Sequence, residues 1–454
     1  MIKKKLNTLD ATMLVMGSMI GSGIFLVSAE VYRLVGSTAL MLGTWLLTSF
    51  LTITGAYAYS KLSTEFPKTG GQYIYLKEAY SPLTGFLFGW STFLVIQTGT
   101  IAAVAVAFAK YTGYLFPSVI NEQGIFLNYI SSQQLLAVSS IILLTLINMK
   151  GMRMASFVQN VFTFSKIASL LFLLCLGLYI GIQNNWINLD QLFTSPKSYN
   201  SSTNSFEPLN MIMTFSMFGA AMIGPLFSSS AWNNLTFASQ DFENPKTTIA
   251  KGLVYGTVIV CLIYFLTNIA YLGILSPEQI MFAKQDRIGS VALEVAIGPI
   301  GAIVMAIMIM ISTFGCNNGI ILSGGRLFEA MANDSLFFKA ASVQNESGVP
   351  KYSLIIQCIW ASLLCFSGSY NQLLDYTVFA ILIFYFLTVL ILFNKHIYSN
   401  KLNKLQKSLF VAYLFILLGI AGNLLVAKPS TSIVGLLIVL SGIPVYFIFR
   451  KTIK

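Results

Sequence analysis

Twelve mostly apolar stretches, each near the length that crosses a bilayer, dominate this chain and leave only short polar connections between them. A spanning helix needs about 20 such residues, because each adds about 1.5 Å toward a hydrocarbon layer about 30 Å thick. The stretches run roughly over 10–34, 38–60, 82–112, 133–150, 155–182, 209–239, 252–275, 297–325, 352–368, 373–394, 408–427 and 431–450. In lipid every backbone N–H and C=O needs a partner inside its own segment, so stretches of this length fold as helices. The pattern predicts an all-α membrane protein, a single domain over 1–454 with twelve transmembrane helices.

Charge supports this class. Only 9% of residues are charged, against about 25% in soluble domains, which excludes a cytosolic enzyme, a nucleic-acid binder or a disordered scaffold. The net charge of +11 is sorted by connection. With twelve spans both termini lie on one side; 20 of the 27 Lys and Arg fall there, six fall opposite, and Lys166 stays inside a span. The acids split eight and eight. This asymmetry predicts a multi-pass protein of the cell (inner) membrane with both termini cytoplasmic, and no nucleic-acid partner. The first stretch is longer than the roughly 7–15 apolar residues of a signal peptide and shows no small-residue cleavage site, so it is expected to remain as helix 1.

Catalytic and metal chemistry have little to work with. The five cysteines, at 175, 261, 316, 358 and 365, all lie in spans, and no two form a Cys-x-x-Cys pair. His396 is the sole histidine and sits in a cytoplasmic loop. No disulfide, metal, cofactor or Ser-His-Asp triad is expected, so the chain does not read as an enzyme.

Two spans are interrupted. The first contains Gly17-Ser18-Met19-Ile20-Gly21-Ser22-Gly23-Ile24-Phe25, and the sixth contains Gly224-Pro225-Leu226-Phe227-Ser228-Ser229-Ser230-Ala231-Trp232-Asn233-Asn234. Glycine weakens a helix interior by about 1 kcal/mol, proline removes a backbone bond, and serines offer competing ones. Gly17 and Gly21 also have the spacing of a small-residue packing motif, but packing alone does not explain a partner break. A helix broken in lipid must line an enclosed cavity. It bares N–H groups that attract a carboxylate and C=O groups that attract an ammonium, and an α-amino acid carries both. Interrupted helices at matching places in two halves point to a transporter site. The breaks near 21 and 228 are 207 residues apart, and the starts of spans 5 and 10 are 218 apart. Five helices per repeat fit, about 8–182 and 209–394, with the second repeat inverted and helices 11 and 12 added over about 408–450.

At these residues the chain resembles the amino acid–polyamine–organocation transporters, and within them the L-amino-acid transporter branch. The first-helix motif from Gly17 to Phe25 and the sixth-helix pattern from Phe227 through Asn234 to Leu235 carry the likeness. It extends through Phe66-Pro67-Lys68-Thr69-Gly70-Gly71-Gln72-Tyr73, Asn244-Pro245-Lys246, Phe314-Gly315-Cys316-Asn317-Asn318-Gly319 with Ser323-Gly324-Gly325-Arg326, and Gly442-Ile443-Pro444-Val445-Tyr446. The resemblance implies a LeuT-like fold, a 5+5 inverted repeat with broken helices 1 and 6. It implies that the substrate carboxylate meets amides at Ser22, Gly23 and Ile24, and the amine meets carbonyls near Met19, Ile20 and Phe227. Gly21 and Ser228 complete that set. Phe227 would also gate the site, and Asn233 would support the helix 6 break. Ser230 stands where the branch often has Gly, which would bias the pocket toward smaller neutral side chains. Animal members of the branch bond a single-span subunit through a cysteine in the outer loop after helix 3; here the loop from Gly113 to Ser132 has none, so no disulfide-linked heavy chain is expected. The stretch from Asn394 to Lys401 also lacks the usual Arg-Pro motif.

Lys166 lies ten residues past Ser156, hence about 15 Å into the membrane. A charge at that depth is expensive and usually functional. In the resembled branch a helix 5 lysine takes the place of a sodium ion held between helices 1, 5 and 8, which would bring Lys166 to the helix 1 break and to Cys316 and Asn317. Asp10, Glu30 and Lys110 lie at helix ends, and Glu294 and Asp375 border outer ends. No acid stands at the breaks, which disfavours cationic substrates. The reading is a secondary transporter of small to medium neutral L-amino acids working by alternating access, as a sodium-independent exchanger. A proton-coupled symporter using Lys166, and a transporter-like amino acid sensor, are the alternatives.

Overall fold

The computed structural model describes residues 5–121, 124–126, 130–183, 194–200, 203–367, 370–398 and 400–451. Lys3, Lys4 and Lys454 of the charge count, and parts of the loop from Gly113 to Ser132, lie outside the described residues. The first half runs through α1 (Thr8–Met19), a 3₁₀ turn (Gly23–Phe25), α2 (Val27–Val35), α3 (Thr38–Glu65), α4 (Gln72–Ala79), α5 (Pro82–Ser91), a π segment (Thr92–Ile96), α6 (Gln97–Leu115), α7 (Ser132–Met149) and α8 (Met152–Gln183). The second half comprises α9 (Met211–Ala221), α10 (Ile223–Ser228), a 3₁₀ stretch (Trp232–Asp241), α11 (Pro245–Ile274), α12 (Pro277–Met281), α13 (Ile288–Ile297), α14 (Pro299–Asn333), α15 (Lys351–Ser367), α16 (Tyr370–Leu390), α17 (Lys404–Ala427) and α18 (Pro429–Lys451). Two short antiparallel ribbons, β1 (Gly124–Phe126) with β2 (Ile130–Ser131) and β3 (Lys197–Asn200) with β4 (Ser205–Pro208), decorate the connections after α6 and α8.

Among the described residues ten helices are long and apolar enough to cross a membrane. The sequence reading has twelve spans, and both differences have a physical cause. The first span is split into α1 of 12 residues and α2 of nine, neither long enough alone. The ninth, α15, has 17 residues. Helix ends follow local chemistry. Asn7 and Asp10 form a capping box, each side chain accepting from the other's amide at 3.0 Å, so Asp10 is a cap. Gly36 closes α2 in the left-handed region at φ 54°, a conformation that suits a residue without Cβ.

Helix α8 shows why this bundle suits lipid. Gln159, Thr163, Lys166, Leu170 and Leu173 are buried at helical spacing, whereas Phe157, Phe164 and Ile182 are exposed. Its polar residues turn inward and its large apolar ones outward, the reverse of a soluble helix. Small residues permit the closest packing: a Cβ on Gly252 or Gly256 of α11 would come within 2.7 Å of Ala11 or 2.5 Å of Val15 on α1.

Candidate functional site: two broken helices and a buried lysine

Helix α1 stops at Met19, and Ile20 is extended at φ −75°, ψ 93°. Helical turns resume at Gly23, so Gly23 and Ile24 open a new segment of the chain. The second interruption falls at Ser229–Ala231, where Ala231 adopts φ 68°. Pro225 does not make it. Proline sits in the first turn of α10, where its missing N–H is tolerated, and its carbonyl accepts from the Ser229 amide at 2.9 Å.

The carbonyls freed by the first break all find partners from neighbouring helices. Lys166 Nζ donates to Gly17 O and Ile20 O, each at 2.8 Å. Ser312 Oγ lies 3.2 Å from both Ile20 O and Gly21 O, and Cys316 Sγ is 3.0 Å from Ser18 O. From α11, the Tyr264 hydroxyl lies 2.9 Å from Met19 O and 3.3 Å from Ser228 O, so one group touches both breaks. The breaks also meet directly: a Cβ on Gly23 would fall 2.0 Å from Ser228 Oγ. Gly17 abuts Gln159 and Thr163, and Gly21 abuts Cys316, so these glycines serve close packing as well as the break.

Several expected residues are therefore together: Met19, Ile20, Gly21, Gly23, Ser228, Lys166 and Cys316. Ser22 and Ile24 flank Gly23 in the same buried turn. Asn317 is held by a different helix from Cys316. It donates from Nδ2 to Ile101 O on α6 at 3.1 Å, whereas Cys316 reaches Ser18 O; successive residues on a helix point about 100° apart. Phe227 is buried, and its carbonyl accepts from the amide and hydroxyl of Ser230 at 3.0 and 2.6 Å. Ser230 thus ends α10 as well as lining a cavity beside the break. Asn233 ties the second break outward: Nδ2 donates to Gln72 Oε1 at 3.0 Å, and Oδ1 accepts from the Tyr385 hydroxyl at 3.4 Å.

Ser312 and Tyr264 are residues the sequence reading missed. Ser312 stands four before Cys316, on the same helical face, so spacing alone points to it. Tyr264 sits in an ordinary apolar span with no signal around it.

Ion pairs flank the site in the chain. Lys428 Nζ lies 3.1 Å from Asp375 Oδ1 and 4.0 Å from Glu30 Oε1. Arg326 on α14 pairs with Asp241 at 2.8 Å and Glu329 at 3.0 Å. Among the described residues no group of three or more His, Cys, Asp or Glu is placed to hold a metal ion.

Comparison with known proteins places the whole chain among amino acid transporters in sequence. The chain is 29% identical over 461 residues to the serine/threonine exchanger SteT of Bacillus subtilis (strain 168), covering 99% of this chain and 98% of that protein. It is 29% identical over 458 residues to the human large neutral amino acids transporter small subunit 2, covering 98% and 80% respectively. Against the b(0,+)-type amino acid transporter 1 of Mus musculus it is 26% identical over 453 residues, covering 99% and 88%. The family model for amino acid permeases matches residues 6–449, nearly the full run from the capping box of α1 to the end of α18, and the chain belongs to the amino acid permease family.

Proposed function

We propose that this protein moves small to medium neutral L-amino acids across the cell membrane by sodium-independent exchange, opening alternately to either side. The observation that carries the reading is the meeting of two interrupted helices at Gly23 and Ser228. Amides at 22–24 suit the carboxylate of the substrate, and the carbonyl end of α10 suits its amine. Lys166 places its amine on Gly17 O and Ile20 O, which is where a coupling cation would otherwise be needed to hold the first break. Twelve spans, a 5+5 inverted repeat and cytoplasmic termini complete the scheme. The relatives are named for serine and threonine exchange and for large neutral amino acid transport, which agrees on neutral amino acids and leaves the side-chain class open. No disulfide-linked subunit is part of the proposal, because the outer loop from Gly113 to Ser132 has no cysteine.

The test uses purified protein in liposomes. Labelled alanine uptake is followed with and without internal unlabelled alanine, with Na⁺ or choline outside, and with or without an inward proton gradient. The proposal expects uptake that needs internal amino acid and ignores Na⁺. Proton symport is the second reading, because Lys166 is the basic group at the break. It would be favoured if a proton gradient drove uptake into empty liposomes.

A further inference from the structure

Three charged side chains from distant parts of the chain meet on the face away from the N-terminus, which is the outer one in the proposed scheme. Lys428 Nζ lies 3.1 and 3.3 Å from the two carboxylate oxygens of Asp375 on α16, and 4.0 Å from Glu30 Oε1 on α2. Asp375 has 12% of its side chain exposed, Lys428 26% and Glu30 37%. One turn beyond Glu30, Arg33 pairs with Asp286 at 2.7 Å and donates to Met281 O at 2.6 Å. The outer end of α2 is therefore tied on two sides.

Glu30 and Asp375 belong to the wall of a seam between α2, α9–α10 and α16, which Val27, Val31, Ala221 and Gly224 also line. The seam is shut: its free space would hold about one water molecule. At its inner end a Cβ on Gly224 would fall 2.3 Å from Val27 Cγ1. Val27 is four residues past Gly23, and Gly224 is four before Ser228, so on both helices the seam starts about one turn from the contact between the breaks. An amino acid reaching the breaks from this face has to part the seam.

Lys428 is placed to keep it closed. It is the single residue between α17 and α18. Its amide donates to Leu424 O at 2.9 Å, and its carbonyl accepts from the Ser432 amide at 3.1 Å. Ser432 Oγ closes the same corner on Leu424 O at 2.9 Å. The ammonium thus hangs from a fixed helical corner that lies outside both five-helix repeats of the proposed scheme. Glu30 belongs to the first of those repeats and Asp375 to the second. With the ammonium between them the closed seam is favoured; without it two like charges repel across the seam and favour its parting.

Resting on the transporter reading above, we infer that Lys428 is the outer latch of this protein: its ammonium bridges α2 and α16 across the seam, and the outward-open state forms when that bridge is released. The latch governs how often the outer side opens, and the contacts of the substrate at the breaks are separate from it.

The experiment reads opening as thiol labelling. Val27→Cys puts a small reporter at the inner end of the seam, and the parent protein sets the background from Cys175, which is exposed on α8. Intact cells receive membrane-impermeant methanethiosulfonates of either charge from outside. Opening raises both rates, whereas a change of local charge alone moves them in opposite directions. Lys428→Met is expected to speed both reactions at least about five-fold. Asp375→Asn, which weakens the bridge, should speed both by a smaller factor, and Lys428→Arg, which keeps the charge, should stay within about two-fold of the unsubstituted protein. If Lys428→Met does not reach the surface, the Asp375→Asn comparison decides. Rates that are unchanged, or that move in opposite directions, in a variant that reaches the surface and still exchanges alanine overturn the latch and leave the transporter reading intact. A wild-type protein that exchanges no amino acid removes the transporter reading and the latch together.

Discussion

Gly23 and Ser228 touch so closely that a Cβ on the glycine would fall 2.0 Å from the serine hydroxyl oxygen and 2.6 Å from its Cβ. The contact joins the two interruptions, which are far apart in the chain, into one site. It leaves no room for a side chain at 23, and it sets the first prediction. Gly23→Ala should lower alanine exchange at least ten-fold by forcing the breaks apart, since overpacking a tight contact costs about 1–3 kcal/mol. Adding Ser228→Gly, which removes the clashing hydroxyl, should restore part of the rate. A double variant no better than the single one would show that the contact is not the cause.

Lys166 is expected to be indispensable to the first break. Its amine is wholly buried and holds two carbonyls that have no turn of helix to pair with. Lys166→Met keeps the bulk and removes both bonds, leaving Gly17 O a buried acceptor without its donor at about 1–3 kcal/mol, while Ile20 O keeps only Ser312 Oγ at 3.2 Å. The purified variant should melt several degrees lower and exchange at under a tenth of the wild-type rate. Lys166→Arg should not rescue it, because a planar guanidinium does not fit a point-charge site. Wild-type-like exchange in Lys166→Met would contradict the role given to the amine.

Tyr264→Phe tests the bridge between the breaks. The ring stays and only the hydroxyl that reaches Met19 O and Ser228 O is lost. A single neutral hydrogen bond is worth about 0.5–1.5 kcal/mol, so the apparent KM for alanine should rise roughly three- to ten-fold with little change in expression. Unchanged kinetics would mean that the bridge is incidental.

Arg326 joins the end of the second broken span to α14 through a two-pronged contact with Asp241, with Nε and Nη2 at 2.9 and 2.8 Å from its oxygens. Arg326 has 4% of its side chain exposed and Asp241 13%. Removing Asp241 takes two hydrogen bonds from the buried guanidinium and leaves it Glu329 alone, at 3.0 Å, so the cost is expected below the about 3–5 kcal/mol of a wholly uncompensated buried charge. Asp241→Ala should therefore melt lower than wild type, and more so than Lys68→Ala, whose pair with Glu78 at 3.6 Å is exposed. Thermal unfolding in detergent checks the ranking.

Much of this arrangement is legible in the sequence because lipid makes local chemistry decisive. Three glycines within seven residues of an apolar span mark a break that soluble surroundings would disguise, and Lys166 stands out because its neighbours are apolar. The second break is legible only in its neighbourhood. Pro225 draws the eye, yet it is absorbed into the first turn of α10, and the chain turns at Ala231. The family motif points to Cys316 and Asn317 together, and on the helix the two contact different neighbours, Ser18 O and Ile101 O. Tyr264 carries no signal of its own. Its role comes from which helices pack together, and that is fixed by contacts across the bundle rather than by local pattern.

The most direct test of the central claim is a structure determined with saturating L-alanine. The account predicts density for the amino acid between residues 21–24 and 227–230, with its carboxylate toward the Ser22–Ile24 amides and Lys166 still on Gly17 and Ile20. Alanine bound elsewhere, with the two breaks empty and Lys166 withdrawn, would contradict it.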